Sequence, residues 1–330
     1  MIHVDARLDA LERWLASQLD GAAFSLAPAS EDASFRRYFR ATLEDRRTYV
    51  VMDAPPERED CRPFIRIAGL LREAGVHAPI VHAQDLAEGF LLLSDLGTKT
   101  YLAELDEATM QPLFADAVAA LLRWQLATRP AALPPYDDAL LRREMALFPE
   151  WYLSRHLGLQ LSGAQRAALG EVESLLVASA LAQPAVYVHR DFMPRNLMVS
   201  EPNPGVLDFQ DAVLGPVTYD LVSLLEDSRR DIAPDLVAAM RQRYLAAFPE
   251  LDHAVFDASL ALLGAQRHCK VIGIFTRLDR RDHKPRYLAH IPRLWRLIDQ
   301  NLRHPALEPV KHWLDRHIPP ALRQMPESRS

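Results

Sequence analysis

The sequence predicts an α+β protein with two lobes, a small antiparallel β lobe that contains one helix and a larger, mainly helical lobe. Before residue 94, short apolar runs with a period of two are separated by charged or proline-rich turns, which is typical of strands. After residue 109, apolar residues recur at spacings of three and four, which is typical of helices that share a core. We therefore expect a first lobe over residues 1–93, a hinge over 94–97 and a second lobe over 98–330.

The elements of the first lobe follow from local patterns. Leucines on one stripe predict a helix over residues 5–19, with Asp5 as a cap. Alternating aromatic and basic residues predict a hairpin and a third strand over 33–51. A second helix is expected to end at Gly75, and two more strands are expected near 80–83 and 90–93.

The second lobe is predicted to consist mainly of helices. After a helix that begins near residue 109, single helices are expected over 138–157 and 162–182. The second of these opens with a capping box of Ser162 and Gln165. Three or four further helices are expected over residues 216–317.

Composition limits the class of protein. The chain has 330 residues, of which 49% are hydrophobic and 25% charged, as in ordinary globular proteins. A net charge of −6 without a basic stripe argues against a nucleic-acid partner, and no apolar run approaches the ~18 residues of a membrane span. Cys61 and Cys269 lie far apart and form no disulfide or metal pattern. We expect a monomeric cytoplasmic enzyme.

Polar residues that follow two short apolar runs are the candidates for catalysis and metal binding. Asp191 follows the first run and lies five residues before Asn196, and Asp208 closes the second run. Phosphoryl transfer from a nucleotide requires an acceptor that orients the attacking hydroxyl and oxygen ligands that hold Mg²⁺. His-x-Asp-x-x-x-x-Asn followed by Asp-Phe is the pattern of the catalytic and metal loops of the protein-kinase-like fold. Ordinary turn chemistry does not demand this spacing.

With these motifs, the chain resembles the aminoglycoside phosphotransferase and choline kinase group of kinase-like folds. It is more similar to bacterial kinases that phosphorylate the anomeric hydroxyl of N-acetylmuramate and N-acetylglucosamine. The resemblance implies a protein-kinase-like two-lobed fold, ATP and Mg²⁺ as cofactors, an amino-sugar substrate and a role in cell-wall sugar recycling. The likeness is carried by residues 34–40, 51–56, 90–97, 189–196, 207–212, 215–220 and 270–278.

The resemblance also implies roles for individual residues. Asp191 would orient the sugar hydroxyl and accept its proton, while Asn196 and Asp208 would coordinate Mg²⁺ on the phosphates of ATP. Asp220 matches a residue that braces the catalytic loop, and a helix cap is the alternative. Asp211 is either a neighbour of the metal or a turn residue.

One departure from the family concerns the lysine that holds the α- and β-phosphates, because its position on the third strand is occupied by Met52. A thioether cannot neutralise phosphate charge. Candidate replacements are Arg36, Arg37 and Arg40 on the preceding hairpin, and solvated strand residues are the alternative. Phe35 either covers the phosphates or packs under the hairpin.

Other site residues are predicted from their positions. In the catalytic loop, His189 is expected to brace the backbone and Arg190 to be solvated. Arg195 would stabilise the charge of the transferred phosphoryl group or be solvated. We also assign Asp95, in the hinge, to the nucleotide. Predicted contacts to the sugar are Glu144, Trp151, Arg267 and Lys270, with core packing as the alternative for the aromatic residue.

Two other functions stay open. The enzyme could phosphorylate an aminoglycoside, choline or an amino alcohol, which would require a strongly acidic cleft. The loss of the phosphate lysine at Met52 would also fit a nucleotide-binding pseudokinase that acts as a regulator. The presence of Asp191, Asn196 and Asp208 argues against a regulator, because a protein that only binds a nucleotide has no use for a hydroxyl-orienting carboxylate.

Overall fold

A five-stranded antiparallel sheet is the centre of the first of two units in the chain. This computed structural model describes residues 6–30 and 35–323, and the first unit comprises residues 1–123 with 195–211. Along the chain the strands are β1 (Phe24–Ser30), β2 (Arg37–Leu43), β3 (Thr48–Asp53), β4 (Val81–Asp85), β5 (Phe90–Ser94), β6 (Ala185–Val188), β7 (Leu197–Met198), β8 (Gly205–Val206) and β9 (Val213–Pro216). The spatial order in the large sheet is β1-β2-β3-β5-β4.

The helices account for most of the remaining chain. In order, they are α1 (Ala6–Gln18), α2 (Cys61–Glu73), α3 (Tyr101–Glu104), α4 (Met110–Leu126), α5 (Asp138–Met145), α6 (Gly163–Leu181), α7 (Tyr219–Leu225), α8 (Pro234–Leu245), α9 (His253–Arg280), α10 (Ile291–Asn301) and α11 (Glu308–His317). Among the described residues, no helix is both long and apolar enough to cross a membrane.

The two faces of the large sheet have different neighbours. Leu11 and Leu15 of α1 pack with Val51 and Leu92 in a core on one face. Because side chains alternate along a strand, Met52 lies on the opposite face, where it is fully buried. The residue at the lysine position therefore contributes to packing and carries no charge.

The predicted antiparallel sheet with one inserted helix is confirmed, but the expected hairpin plus third strand over 33–51 is wrong, because the described residues there form two strands, β2 and β3. The additional strand, β1, lies earlier in the chain, where none was predicted. That strand contains Pro28 and pairs with β2 at the edge of the sheet. Proline is tolerated at an edge because the missing N–H there has no strand partner to lose. Residue Asp5 and the first residues of the predicted hairpin, 33 and 34, lie outside the described residues.

The second unit comprises residues 124–194 with 212–330 and is mainly helical. Its longest helix, α9, has 28 residues, and both of its ends carry polar residues while its middle is buried. The predicted capping box is confirmed, since the side chains of Ser162 and Gln165 bond to each other's backbone N–H groups. Strands β6 and β9 form a separate antiparallel pair in this unit. The hinge over 94–97 stays a prediction.

Two helix predictions for the second unit are wrong. The single helix over 138–157 is instead α5 followed by a π-helix, Phe148–His156. Pro149 has no N–H for the α-helical hydrogen bond, and Gly273 of α9 lets this segment approach closely. A Cβ at Gly273 would lie 2.5 Å from the carbonyl carbon and oxygen of Leu147. In addition, five helices, α7 to α11, occupy the described chain where three or four were expected.

Candidate active site

The first unit contains a cavity of about 350 Å³ on the sheet face that carries Val50. Apolar residues, including some from the sheet and from α2, form part of its wall, and polar and charged residues form much of the rest. A mainly apolar cleft with a few convergent polar groups is typical of a small-molecule site. It contains five of the residues predicted to bind the nucleotide or the metal, namely Arg40, Asp95, Arg195, Asn196 and Asp208.

A short hairpin brings the two predicted metal ligands together. Strands β7 and β8 pair, and the Leu207 N–H donates to the Asn196 carbonyl oxygen at 2.9 Å. As a result, Asn196 Nδ2 donates to Asp208 Oδ2 at 3.2 Å. Asp208 has a φ of 63°, in the left-handed region, and its side chain is exposed. The backbone thus holds this carboxylate at the cavity rather than in the core.

These donor atoms fit Mg²⁺. Within the described residues, no group of three His, Cys, Asp or Glu side chains is assembled to hold a metal ion. Magnesium does not need such a group, because it takes one or two carboxylates and completes its shell with substrate phosphates and water. Asp208 and the amide oxygen of Asn196 would supply the protein ligands.

Gln210 is a polar neighbour of Asp208 that the sequence analysis did not single out. Its Nε2 donates to Asp208 Oδ1 at 3.0 Å. The signal in the sequence is its place two residues after Asp208, within the segment that carries the family resemblance.

Arg40 is bound to the predicted hinge. Its Nε donates to Asp95 Oδ2 at 2.6 Å, and its Nη2 donates to Asp95 Oδ1 at 3.0 Å and to the Gly97 carbonyl at 2.9 Å. Burial by itself would raise the pKa of Asp95, but the hydrogen bonds from Arg40 and from the Gly97 N–H outweigh it and lower that pKa. Arg40 therefore lines the cavity while fixing the segment over 94–97.

The other two candidate arginines make ion pairs away from the cavity lining. Arg36 Nη2 lies 2.9 Å from Glu59 Oε2. Arg37 Nε donates at 2.8 Å to Asp53, which is fully buried and also accepts from Arg7 Nε at 2.6 Å. Both guanidinium groups already have a carboxylate partner, so binding phosphate would require them to change partner.

Phe35 and Arg195 are both exposed to solvent. Phe35 is 57% exposed, with the guanidinium of Arg58 lying 4.6 Å from the centre of its ring, so it does not pack under the hairpin. Arg195 lines the cavity next to Asn196. Its position leaves the guanidinium accessible to a ligand there.

In the second unit, the catalytic loop follows strand β6 and is held by Asp220. The buried Asp220 carboxylate accepts from the His189 N–H at 2.6 Å and from the Arg190 N–H at 3.0 Å. These bonds stabilise the left-handed φ of 76° at Arg190. His189 Nδ1 in turn accepts from the Asp191 N–H at 3.2 Å. The bracing roles predicted for Asp220 and His189 are confirmed.

The side chain of Arg190 belongs to a buried cluster of charged and tyrosine side chains. We call it the Glu144 cluster, and it consists of Tyr136, Glu144, Arg190, Tyr219 and Lys270. Glu144 accepts from the Tyr136 hydroxyl and from Arg190, and it forms an ion pair with Lys270 Nζ at 2.8 Å. Lys270 Nζ also donates to the Tyr219 hydroxyl at 2.9 Å. The expectation that Arg190 is solvated is wrong, because its side chain is only 19% exposed.

Charge compensation keeps this cluster ionised. Burial by itself would raise the pKa of Glu144, but the positive charges of Lys270 and Arg190 outweigh it and lower that pKa to about 2. Glu144 therefore stays a carboxylate throughout the physiological range. No sequence pattern pointed to Tyr136 as a member, because a tyrosine that follows a proline-rich loop is most simply read as a packing residue.

The predicted sugar contacts lie in different surroundings. Glu144 and Lys270 bind each other within the Glu144 cluster. Arg267 is buried, with its guanidinium 5.9 Å from the centre of the Tyr219 ring. Trp151 is half-buried on the π-helix, with the guanidinium of Arg155 at 4.4 Å from its ring. Their contact with an acceptor stays a prediction.

Comparisons with known proteins agree with this arrangement. A profile of the phosphotransferase enzyme family matches residues 25–254. The chain is 52% identical over 322 residues to the N-acetylmuramate/N-acetylglucosamine kinase of Pseudomonas putida, covering 92% of this chain and 94% of that protein. The enzyme of the same name from Pseudomonas aeruginosa is 51% identical over 321 residues, with the same two shares.

A solved structure shows the same fold. It is the streptomycin–ATP–APH(2″)-IIa ternary complex, which superposes with a TM-score of 0.57 at 16% identity and covers 93% of this chain and 99% of that one. The predicted α+β, protein-kinase-like fold class is confirmed. Because the family profile spans most of the sequence and the two relatives match along nearly all of it, this chain belongs to the phosphotransferase enzyme family.

Proposed function

We propose that this protein is an ATP-dependent kinase that phosphorylates the C1 hydroxyl of N-acetylmuramate and N-acetylglucosamine in cell-wall sugar recycling. The observation that carries this proposal is the 52% identity, across 92% of the chain, to a kinase named for these two sugars. Choice of the C1 hydroxyl rests on the family resemblance of the motifs. We further propose that the enzyme acts in the cytoplasm.

In the first unit, the cavity would bind ATP. Asn196 and Asp208 would hold Mg²⁺, which when bound neutralises charge on the phosphates and orients them. Asp95 would shape the nucleotide site through its bonds to Arg40 and Gly97, since both carboxylate oxygens are already occupied by donors. The short hairpin that holds Asn196 beside Asp208 supports this assignment.

The missing phosphate lysine has a candidate replacement in Arg195. Arg40 keeps its guanidinium on Asp95 and Gly97, whereas Arg195 is exposed in the same cavity and, within residues 6–30 and 35–323, forms no ion pair. A guanidinium can bind phosphate oxygens through two parallel hydrogen bonds. We therefore assign charge neutralisation at the phosphates to Arg195 rather than to the hairpin arginines.

In the second unit, Asp191 would orient the sugar hydroxyl and accept its proton. The hydroxyl oxygen forms a bond to the γ-phosphorus, the bond from that phosphorus to the bridging oxygen breaks, and ADP leaves. Such a transfer depends on positioning and electrostatics and needs no covalent intermediate. The bonds from Asp220 and within the Glu144 cluster fix the backbone on which Asp191 lies.

The direct test is an ADP-release assay with Mg²⁺·ATP and four acceptors: N-acetylmuramate, N-acetylglucosamine, choline and kanamycin. We expect turnover with the two amino sugars, together with loss of the reducing end as C1 becomes phosphorylated. ³¹P NMR of the product distinguishes a C1 phosphate from a phosphate on another hydroxyl.

Two outcomes would contradict the proposal. Turnover with choline or kanamycin alone would leave the assignment as a kinase in place but show that the amino sugars are not its substrates. ATP binding without turnover of any acceptor would instead favour the nucleotide-binding regulator.

A further inference from the structure

Gln210 and Asn196 each donate a hydrogen bond to a different carboxylate oxygen of Asp208. Gln210 Nε2 donates to Asp208 Oδ1 at 3.0 Å, and Asn196 Nδ2 donates to Asp208 Oδ2 at 3.2 Å. An ionised carboxylate only accepts hydrogen bonds, so the NH₂ group of each amide must face Asp208. This requirement fixes the orientation of the Gln210 amide and directs its oxygen elsewhere.

That oxygen lacks a partner. Among the described residues, Gln210 Oε1 is buried and accepts no hydrogen bond. Buried carbonyl oxygens are nearly always paired, and an unpaired one is commonly explained by a ligand or a water molecule that completes the site. The Asp208 side chain is exposed and lines the cavity, so the Gln210 amide lies directly behind a carboxylate that a ligand in the cavity can reach.

A hydrated magnesium ion offers suitable donors. Mg²⁺ gives up its water reluctantly and usually keeps several water ligands alongside carboxylate and phosphate oxygens. Each coordinated water presents two O–H donors, and outer hydrogen-bond partners of this kind orient the ligands of a metal. A neutral amide can hold the carboxylate with its NH₂ group and accept from such a water with its oxygen.

We propose that Gln210 is a positioning residue for the metal: its Nε2 orients the Asp208 carboxylate and its Oε1 accepts from a metal-bound water. This inference rests on the proposed function to the extent that Asp208 binds a cation with the nucleotide. It goes beyond that function by assigning a role outside the direct ligands of the metal.

The loop has an anchor that does not depend on Gln210. Phe209 is fully buried, and its ring centre lies 4.7 Å from that of Phe64 on α2. The hydrogen bond from the Leu207 N–H to the Asn196 carbonyl adds a second attachment. A change of the Gln210 side chain is therefore expected to leave the backbone of the loop in place.

The test is Gln210→Met, which keeps the length of the side chain and removes both polar atoms. Gln84→Met is the matched control, because Gln84 lies exposed on β4 in the same unit. Mn²⁺ binding to each protein with ADP is titrated by electron paramagnetic resonance, and the free Mg²⁺ concentration at half-maximal rate is measured in parallel. We expect Gln210→Met to weaken Mn²⁺ binding roughly 10-fold or more, as for other outer-shell partners of metals, while the control is unchanged.

The readout does not involve the acceptor, so it remains valid if the sugars prove to be the wrong substrates. Wild-type Mn²⁺ affinity in folded Gln210→Met would overturn the proposal, even if activity fell. Failure of the wild-type protein itself to bind Mn²⁺ with ADP would also overturn it. If Gln210→Met does not fold, Gln210→Asn serves instead, since it keeps the amide but shortens its reach; unchanged affinity there would equally refute the role.

Discussion

Charged residues occur in two contrasting settings in this molecule. In the cavity of the first unit, Asp208 and Arg195 are exposed and their charges face a space large enough for a ligand. In the Glu144 cluster of the second unit, the Glu144 and Lys270 side chains are only 8% and 12% exposed and neutralise each other. The same residue types therefore occur exposed at a cavity in the first unit and buried in mutually compensating pairs that hold the catalytic loop in the second unit.

The energetic consequences of a substitution differ accordingly. Removing one partner from a buried ion pair leaves an uncompensated charge, which costs far more stability than the pair contributes when intact. Removing an exposed charge in the cavity costs little stability, because water solvates what remains. Substitutions in the cluster should thus change folding, and substitutions in the cavity should change binding.

The largest effect on stability is expected for Glu144→Gln. This change leaves the buried Lys270 and Arg190 without a countercharge, so the free energy of unfolding should fall by about 3 kcal/mol. Chemical denaturation measures the change. A loss below 1 kcal/mol would mean that the cluster is hydrated and does not support the loop.

The pH dependence of Glu144 sharpens this test. Its pKa is lowered from 4.5 to about 2 in the folded state, so its stabilising contribution is complete above pH 4.5 and is lost as the pH falls toward 2. Melting temperatures measured from pH 5 to pH 2 should fall more steeply for the wild-type protein than for Glu144→Gln. Parallel curves would contradict the assignment.

An intermediate effect is expected for Gly273→Ala, which tests the packing of α9 on the π-helix. The added Cβ would lie 2.5 Å from the Leu147 carbonyl, and backbone cannot move aside cheaply, so we expect a destabilisation of about 2 kcal/mol. Gly170→Ala in α6 is the control, since its Cβ would meet no atom within 4 Å. That change should stabilise the protein by roughly 0.5–1 kcal/mol. Equal melting temperatures for the two variants would refute the close approach.

The smallest effect is expected for Arg40→Met in the cavity. Loss of its bonds to Asp95 and Gly97 should free the segment over 94–97 and raise KM for ATP about 10-fold, the equivalent of one charged hydrogen bond. Arg47→Met is the control, because the Arg47 side chain is 63% exposed and pairs with Asp45, a surface aspartate two residues away. An unchanged KM for ATP in Arg40→Met would show that the contacts of Arg40 with the segment over 94–97 do not contribute to nucleotide binding.

The sequence predicted the fold class because its strongest signals are local. The capping box at Ser162 and the amphipathic helices depend on nearby residues, and the structure reproduces them. Strand β1 and the π-helix were missed for the same reason. The first depends on pairing with β2, and the second depends on close contact with Gly273, more than a hundred residues further along the chain.

The residues of the candidate site also differ in whether local sequence patterns reveal them. Asp191, Asn196 and Asp208 could be found because their spacing is a motif in the chain. The partners of Arg190 and Arg40 could not, because Glu144 and Asp95 are distant in sequence and acidic residues there fit many other roles. Long-range ion pairs leave no periodic signal in the sequence, so only the folded structure shows which charged side chains pair with each other and which stay exposed.

We propose a division of roles in which the first unit binds the metal and the nucleotide and Asp191 in the second unit orients the acceptor. The most direct test measures Mg²⁺·ATP binding by calorimetry and turnover of N-acetylglucosamine in Asp191→Asn and Asp208→Asn. We predict that Asp191→Asn binds ATP as the wild-type protein does but loses kcat by about 10²–10⁴-fold, whereas Asp208→Asn loses metal-dependent ATP binding. Near-normal kcat in Asp191→Asn, or equal loss of ATP binding in both variants, would contradict this division of roles.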